Sequence, residues 1–462
     1  MIDGLRPYPE YSHSDVPWAP VLPKGWRTER AKWLFAKMDR PVRPEDDVVT
    51  CFRDGTVTLR KNRRLRGFTE ATVEHGYQGI RKGDLVIHQM DAFAGAVGVS
   101  DSDGKSTPVY SVCQPKPGIN ARYYAHAVRE MSNSQWILAL AKGIRERSTD
   151  FRYDMFGSQR LPVPAEEEQA AIVRFLDSAS SKVSNFVLAK RKQIARLNEQ
   201  KQVIIQRAVT RGIDPTTEFK ESAIPWVGRV PSHWNILRAK YLFREVDERS
   251  ESGNEELLSV SHLTGVSPRS EKNITMFKAA SYVGHKVCRQ GDLAVNTMWA
   301  WMGALGVARQ VGIISPAYAV YRVRSGHPMM GSYVELLLRT RAYTSNFTCH
   351  STGVRASRLR LYPEEFFRIP VLIPPIDEQN QIVGFINGET SSLDTAIARI
   401  EREIALMREY RVRLTSDIVA GKLDVREAAA TLPEPLSDAE YVDDAGMLEG
   451  DSLDSEIEDS DE

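Results

Sequence analysis

The chain has 462 residues, 42% of them hydrophobic and 26% charged, which suggests about two to four domains with real cores and excludes a wholly disordered chain. Its 61 Lys/Arg and 61 Asp/Glu cancel, but not evenly along the sequence. Residues 433–462 carry 13 Asp/Glu and no Lys/Arg, leaving a surplus of 13 basic side chains on the rest and pointing to a polyanionic partner, nucleic acid first. No apolar run approaches the roughly 18–20 residues of a membrane span, and Met1-Ile2-Asp3-Gly4-Leu5-Arg6-Pro7 lacks the layout of a signal peptide. Cys51, Cys113, Cys288 and Cys349 are far apart and read as thiols in a reducing cytoplasm, not as a disulfide framework.

In chain order, residues 16–35 read VPWAPVLPKGWRTERAKWLF, and nine of these twenty positions recur at an offset of 208 in IPWVGRVPSHWNILRAKYLF, residues 224–243. Such a recurrence marks a tandem duplication. Apolar and β-branched residues then alternate around Asp54-Gly55, which predicts a hairpin. Arg60, Lys61, Arg63, Arg64 and Arg66 follow it. That density suits phosphate neutralisation, although charge runs are also ordinary solvated surface. The segment 83–99 begins Gly83-Asp84-Leu85 and reads as short strands, with Gly95 and Gly98 at a turn or bulge. Gly143 and Arg145 follow, a turn glycine beside a cation able to meet a phosphate or a base; a loop leading into the next strand is the plainer alternative. Pro162 and Pro164 precede a predicted helix over about 165–210, with Glu166, Glu167 and Glu168 at its positive end and Gly212 as its stop.

The second half repeats this order. The hairpin counterpart at 257–273 keeps Gly265, Arg269, Lys272 and Asn273 with less charge, and Arg and Asn can read guanine and adenine edges bidentately. Gly291-Asp292-Leu293 repeats the strand segment; Trp299 and Trp301 within it read equally as core or as surface readers. Gly353, Arg355 and Arg358 correspond to the earlier glycine–arginine loop, now at an offset of 210. A second helix is predicted over about 375–420. Ile382, Ile386, Leu393, Ile397, Ile400, Ile404, Met407, Leu414 and Ile418 follow mostly alternating steps of three and four, the seam of a coiled coil. Ile172, Leu176, Ala179, Val183, Phe186, Ile194, Leu197, Ile204 and Ala208 repeat it in the first helix, interrupted by Lys190 and Lys201. The fold class expected is α+β: two mixed α/β domains at 1–160 and 216–370, two long antiparallel helices at 161–215 and 371–430, and an acidic tail at 431–462 whose composition predicts disorder.

Self-contained catalysis finds little support in the pattern. Gly98 and Gly104 are separated by five residues where a phosphate-binding loop requires four. There is no C-x-x-C pair, and the adjacent Cys349-His350 are poorly placed to share a metal. A nuclease carboxylate cluster stays open, as does a coiled-coil scaffold without nucleic acid, which the basic body argues against.

The doubled tryptophan lead-ins, the two G-D-L segments, the P-x-x-x-E-Q-x-x-I-V-x-F helix starts at 164–175 and 374–385, and the helix ends T-R-G-I-D and A-G-K-L-D resemble the specificity subunit of a Type I restriction–modification system over about residues 11–428. The resemblance implies two target-recognition domains separated by an antiparallel helix pair, each reading one half of a bipartite, asymmetric duplex DNA target. It implies two methylation subunits that use S-adenosylmethionine and restriction subunits that use ATP and Mg²⁺ as partners, with no cofactor and no catalysis in this chain. The acidic tail departs from the family pattern.

Overall fold

The computed structural model describes residues 5–63, 74–140, 150–272, 281–327, 329–353 and 359–433. It divides into two compact units, one holding the chain to Ala189 and again from Glu403, the other holding Lys190–Arg402.

In the first unit, strands Tyr11–Val16 and Ala19–Pro23 pair antiparallel, and Arg27–Arg30 pairs with Arg160–Val163. A one-turn helix, Ala31–Leu34, leads into a four-stranded antiparallel sheet ordered Phe35–Lys37, Tyr110–Pro115, Leu85–His88, Val97–Val99. Two small ladders flank it, Val49–Cys51 with Val57–Leu59 and Gln78–Ile80 with Gly104–Ser106. The helix Ala121–Asn133 is capped by Asn120, whose side chain accepts from the Arg122 and Tyr123 amides.

The second unit runs through the same order. Phe219–Glu221 pairs with Arg229–Pro231 and Asn235–Arg238 with Pro370–Ile373. Its four-stranded sheet is Phe243–Glu245, Ala319–Val323, Leu293–Val295, Leu305–Val307. The small ladders are Leu258–Ser261 with Gly265–Pro268 and Lys286–Cys288 with Gly312–Ile314, and the helix is Gly331–Leu338.

The G-D-L aspartates explain why that segment recurs. Asp84 accepts from the Arg81 amide and pairs with Arg40; Asp292 accepts from the Arg289 amide and takes Arg322 on both oxygens, at 2.7 and 2.8 Å. Each carboxylate is buried and closes the turn before a central strand, where only a paired charge is tolerated.

The long helices are Glu166–Arg211 and Ile376–Val419, each close to its predicted span. They share their ends between the units. In the first unit Ile172 and Leu176 enter the core beside Ile418 and Leu414. In the second, Ile205 and Val209 enter it beside Ile386 and Ile382. Rising numbers on one helix meet falling numbers on the other, so the pairing is antiparallel in each unit, as the seam predicts. Lys201, an interruption of that seam, donates to Asp394 at 2.6 Å.

Each unit is therefore closed by a helix end that the other half of the sequence supplies. Tyr123 donates to the Val419 carbonyl at 3.4 Å and Tyr333 to the Val209 carbonyl at 3.2 Å. Gly212 and Gly421 end the helices with φ of 74° and 70°, the left-handed conformation that favours glycine. Gly212 packs on Trp234 and Gly421 on Trp26, so the duplicated lead-in tryptophans are the platforms for the helix ends. In the first unit Asp424 N–H donates to Arg6 carbonyl at 2.7 Å, bringing the segment beyond the second helix against the start of the chain.

The conserved-looking Glu-Gln of the helix starts is also architectural. Gln169 accepts from the Asn120 amide at 2.9 Å and donates to the Pro164 carbonyl at 3.0 Å; Gln379 accepts from the Met330 amide at 2.8 Å and donates to the Pro374 carbonyl at 2.9 Å. Both amides are buried. Each ties the start of a long helix to the start of the domain helix beside it.

Candidate nucleic-acid interface

The predicted Asp54-Gly55 hairpin forms, with Val49 opposite Leu59, Thr50 opposite Thr58 and Cys51 opposite Val57. Gly55 has φ of 95°, and the Asp54 carboxylate accepts from the Thr56 amide at 2.9 Å. The strand Val57–Leu59 then passes into a 3₁₀ turn, Arg60–Asn62, which presents the basic run. Arg60 Nε reaches Thr50 Oγ1 at 3.4 Å. Lys61 pairs with Asp47 at 2.6 Å, both side chains largely in solvent. The hydrogen bond from Lys61 and then its charge hold the Asp47 carboxyl below its ordinary pKa. An exposed pair of this kind is readily exchanged for a phosphate.

Arg63 is placed differently. It is largely buried, pairs with Asp54 at 2.6 Å and lies 4.4 Å from the Phe52 ring centroid. Burial pushes the Asp54 carboxyl up, but the Arg63 and Thr56 hydrogen bonds outweigh it and leave the pKa lowered. Arg63 thus braces the hairpin turn that carries Arg60 and Lys61. Arg64 and Arg66 lie outside the described residues.

The second unit builds the same device from a different sequence. Leu258 lies opposite Pro268 and Ser261 opposite Gly265, and a 3₁₀ turn, Arg269–Glu271, follows. The Arg269 amide donates to the Leu257 carbonyl at 2.8 Å, as the Arg60 amide does to the Val48 carbonyl at 2.8 Å. Lys272 donates to Ser259 Oγ at 2.9 Å, in the place of the Arg60–Thr50 contact. The Arg269 guanidinium has no partner among the described residues. Asn273 lies outside them.

Of the second candidate loops, Gly143, Arg145, Arg355 and Arg358 lie outside the described residues. Gly353 sits just inside the mouth of its loop, which Thr352 and Arg360 close by exchanging backbone hydrogen bonds at 3.0 and 2.9 Å. Beside that mouth, Leu361 N–H donates to Thr297 carbonyl at 2.9 Å. Met298, Trp299 and Trp301 follow on a tight turn, half-buried, with the two indoles 5.7 Å apart. Trp299 and Trp301 are therefore part-core and part-surface.

Two residues that pattern reading missed hold the hairpins. In the second unit Arg339 donates from Nη2 to the Leu263 carbonyl at 3.0 Å and to the His262 carbonyl, at the hairpin tip. Its Nη1 meets Glu335, which accepts from the Val307 amide at 3.2 Å. In the first unit Arg129, at an offset of 210, lies against Gly55 so closely that a Cβ there would fall 2.3 Å from Nη1. Gly98 and Gly306 complete the seat, since a Cβ on either would strike the hairpin backbone, at 1.9 Å from Gly55 O and 2.7 Å from Val266 N. The equality of the offset is the one signal that could have found the arginines.

No family profile matches the chain. Among curated proteins, the Type I restriction enzyme MjaVIII specificity subunit of Methanocaldococcus jannaschii is 30% identical over 86 residues, which is 19% of this chain and 19% of that protein. Among solved structures, a chain from a study of complex assembly and conformational transition of the type I R-M system is 14% identical with a TM-score of 0.57, over 86% of this chain and 98% of that one. The HsdS subunit from Thermoanaerobacter tengcongensis is 14% identical, over 87% and 98% of the two chains, at a TM-score of 0.40. The chain thus has a fold found in a type I restriction–modification system, and in sequence it resembles a Type I specificity subunit.

Proposed function

We propose that the chain is a DNA-binding specificity subunit of a Type I restriction–modification system. Each unit reads one half of a bipartite, asymmetric target, and the paired long helices set the gap between the halves. The observation that carries this reading is the doubled hairpin. One scaffold, with the same seat and the same arginine brace, presents Arg60-Lys61-Asn62 in one unit and Arg269-Ser270-Glu271 in the other. Basic side chains hold the backbone while a few turn residues meet base edges.

The function is binding and orientation. Two methylation subunits, using S-adenosylmethionine, and restriction subunits, using ATP and Mg²⁺, supply the chemistry. This chain positions them on the target and needs no cofactor of its own.

The test is exchange of residues 16–160 for those of a relative, followed by selection of bound duplexes from a random pool. The expected result is a new sequence in one half of the site with the other half unchanged. Change in both halves contradicts modular reading. Methylation or cleavage by the isolated chain, given S-adenosylmethionine, ATP and Mg²⁺, favours a self-contained enzyme.

A further inference from the structure

The acidic segment 434–462 holds 13 carboxylates and no Lys or Arg, and nothing in the proposed DNA role uses it. It leaves the described residues after Leu432, which packs on the core of the first unit. That same unit carries an uncompensated basic patch. Trp33 is 59% exposed, on the one-turn helix Ala31–Leu34. Lys32 Nζ lies 5.5 Å and Lys116 Nζ 5.6 Å from its ring centroid. Lys37 Nζ lies 5.8 Å from the ring of Tyr153, whose hydroxyl donates to the Phe35 carbonyl at 3.1 Å. The strand pairing that sets Cys113 opposite Lys37 and Pro115 opposite Phe35 brings Lys116 to this edge. All three lysines are exposed, and none has a carboxylate partner among the described residues.

The second unit shows what is particular about the patch. At the equivalent positions Tyr241 replaces Trp33 and Lys240 Nζ lies 4.7 Å from its ring. However, Glu245 stands where the first unit has Lys37, and Arg324, in place of Lys116, donates to the carbonyls of Lys240 and Phe243 at 3.1 and 2.9 Å. Three ammonium groups are thus available in the first unit and one in the second. The better-charged copy belongs to the unit from which the single acidic segment departs.

We propose that residues 434–462 dock on the Lys32–Trp33–Lys37–Lys116 patch of the same chain. The charges are complementary, and the segment carries Tyr441, Met447, Leu448, Leu453 and Ile457 between its carboxylates, apolar side chains suited to an exposed indole. Its 29 residues average about 30 Å end to end as a coil, and reach about 100 Å when extended. Docking covers a basic surface that otherwise attracts any polyanion, so the segment acts as a built-in competitor for non-specific contacts.

The test is zero-length carbodiimide cross-linking of the full chain with mass-spectrometric mapping, independent of any DNA activity. The 2.6 Å Lys201–Asp394 pair serves as an internal reference for folding. The expected result is preferential joining of tail carboxylates to Lys32, Lys37 and Lys116. That yield should fall about fivefold in Trp33→Ala as the aromatic contact is lost, with the reference cross-link unchanged. It should also fall between 0.15 M and 1 M salt as the Debye length shrinks from about 8 to about 3 Å. Tail cross-links spread evenly over the surface lysines, or none, overturn the proposal. So do links that mixed isotopic labelling places between copies. A patch that takes only duplex DNA, with binding lost equally in Lys32→Gln/Lys37→Gln/Lys116→Gln whether or not residues 434–462 are present, also overturns it.

Discussion

The two hairpins are built alike and tipped differently. Both sit on a glycine, Gly98 or Gly306, and both lie against an arginine of the domain helix, Arg129 or Arg339. Yet one presents Arg60, Lys61 and Asn62, the other Arg269, Ser270 and Glu271. The seat of the first hairpin needs a buried Arg63–Asp54 pair under Phe52, while the second leaves Leu263 exposed at its tip. Duplication has kept what holds the reading element and released what the element shows. On the proposed function, that is how one chain reads two unlike half-sites.

The comparison is broken most forcefully at the lead-in tryptophans. Trp234 is fully buried and donates to Glu378 at 3.0 Å, whereas the Trp26 indole N–H has no hydrogen-bond partner. Trp234→Ala should cost about 3–5 kcal/mol in urea unfolding, and Trp234→Phe should cost more than Trp26→Phe. Equal losses from the two Phe variants would mean that the Glu378 bond contributes nothing.

Next are the buried amides. Gln169→Ala and Gln379→Ala leave the Asn120 and Met330 amides without their acceptors, so each should destabilise by about 1–3 kcal/mol. The helix-end glycines should separate the units further. Alanine at either carries a left-handed penalty of about 1–2 kcal/mol. At Gly421 the new Cβ also falls 2.4 Å from Pro23, whereas at Gly212 its nearest neighbour is a Glu378 carboxylate oxygen at 3.2 Å. Gly421→Ala should therefore lower the melting temperature more than Gly212→Ala.

Acid dependence offers a finer distinction. Burial raises the Glu130 pKa, against the lowering hydrogen bonds from Ser416 and Asn133. An acid whose folded pKa is raised holds its proton more tightly when folded, so its contribution erodes as pH rises above the ordinary carboxylate value. The equivalent residue in the second unit is Thr340, which cannot titrate. Glu130→Gln should remove that slope from the pH–stability curve of the full chain. A curve identical to the parent's would show that Glu130 is not linked to folding. Smallest of all, Asp394→Asn removes a half-exposed partner from Lys201 and should change stability by no more than about 1 kcal/mol.

Much of this architecture was legible because duplication amplifies weak signals. The helix at 375–420 was delimited by its seam and its stops, and the observed Ile376–Val419 agrees closely. The Asp54-Gly55 hairpin was legible because an Asp-Gly turn between β-branched runs has few alternatives. The roles of Gln169, Gln379, Arg129 and Arg339 were not. Each is a single polar residue in a helix, and its partner is a backbone group that only the tertiary fold brings near. Arg63 looked like its neighbours in the basic run because sequence gives no sign that it turns inward onto Phe52 and Asp54.

The central claim is that each hairpin serves its own half of the target, and base-by-base binding selection on two double variants tests it most directly. Arg60→Ala/Lys61→Ala should weaken discrimination in one half only, and Arg269→Ala/Lys272→Ala in the other half only. Loss spread over both halves by either variant, or unchanged preference in both, would contradict the account.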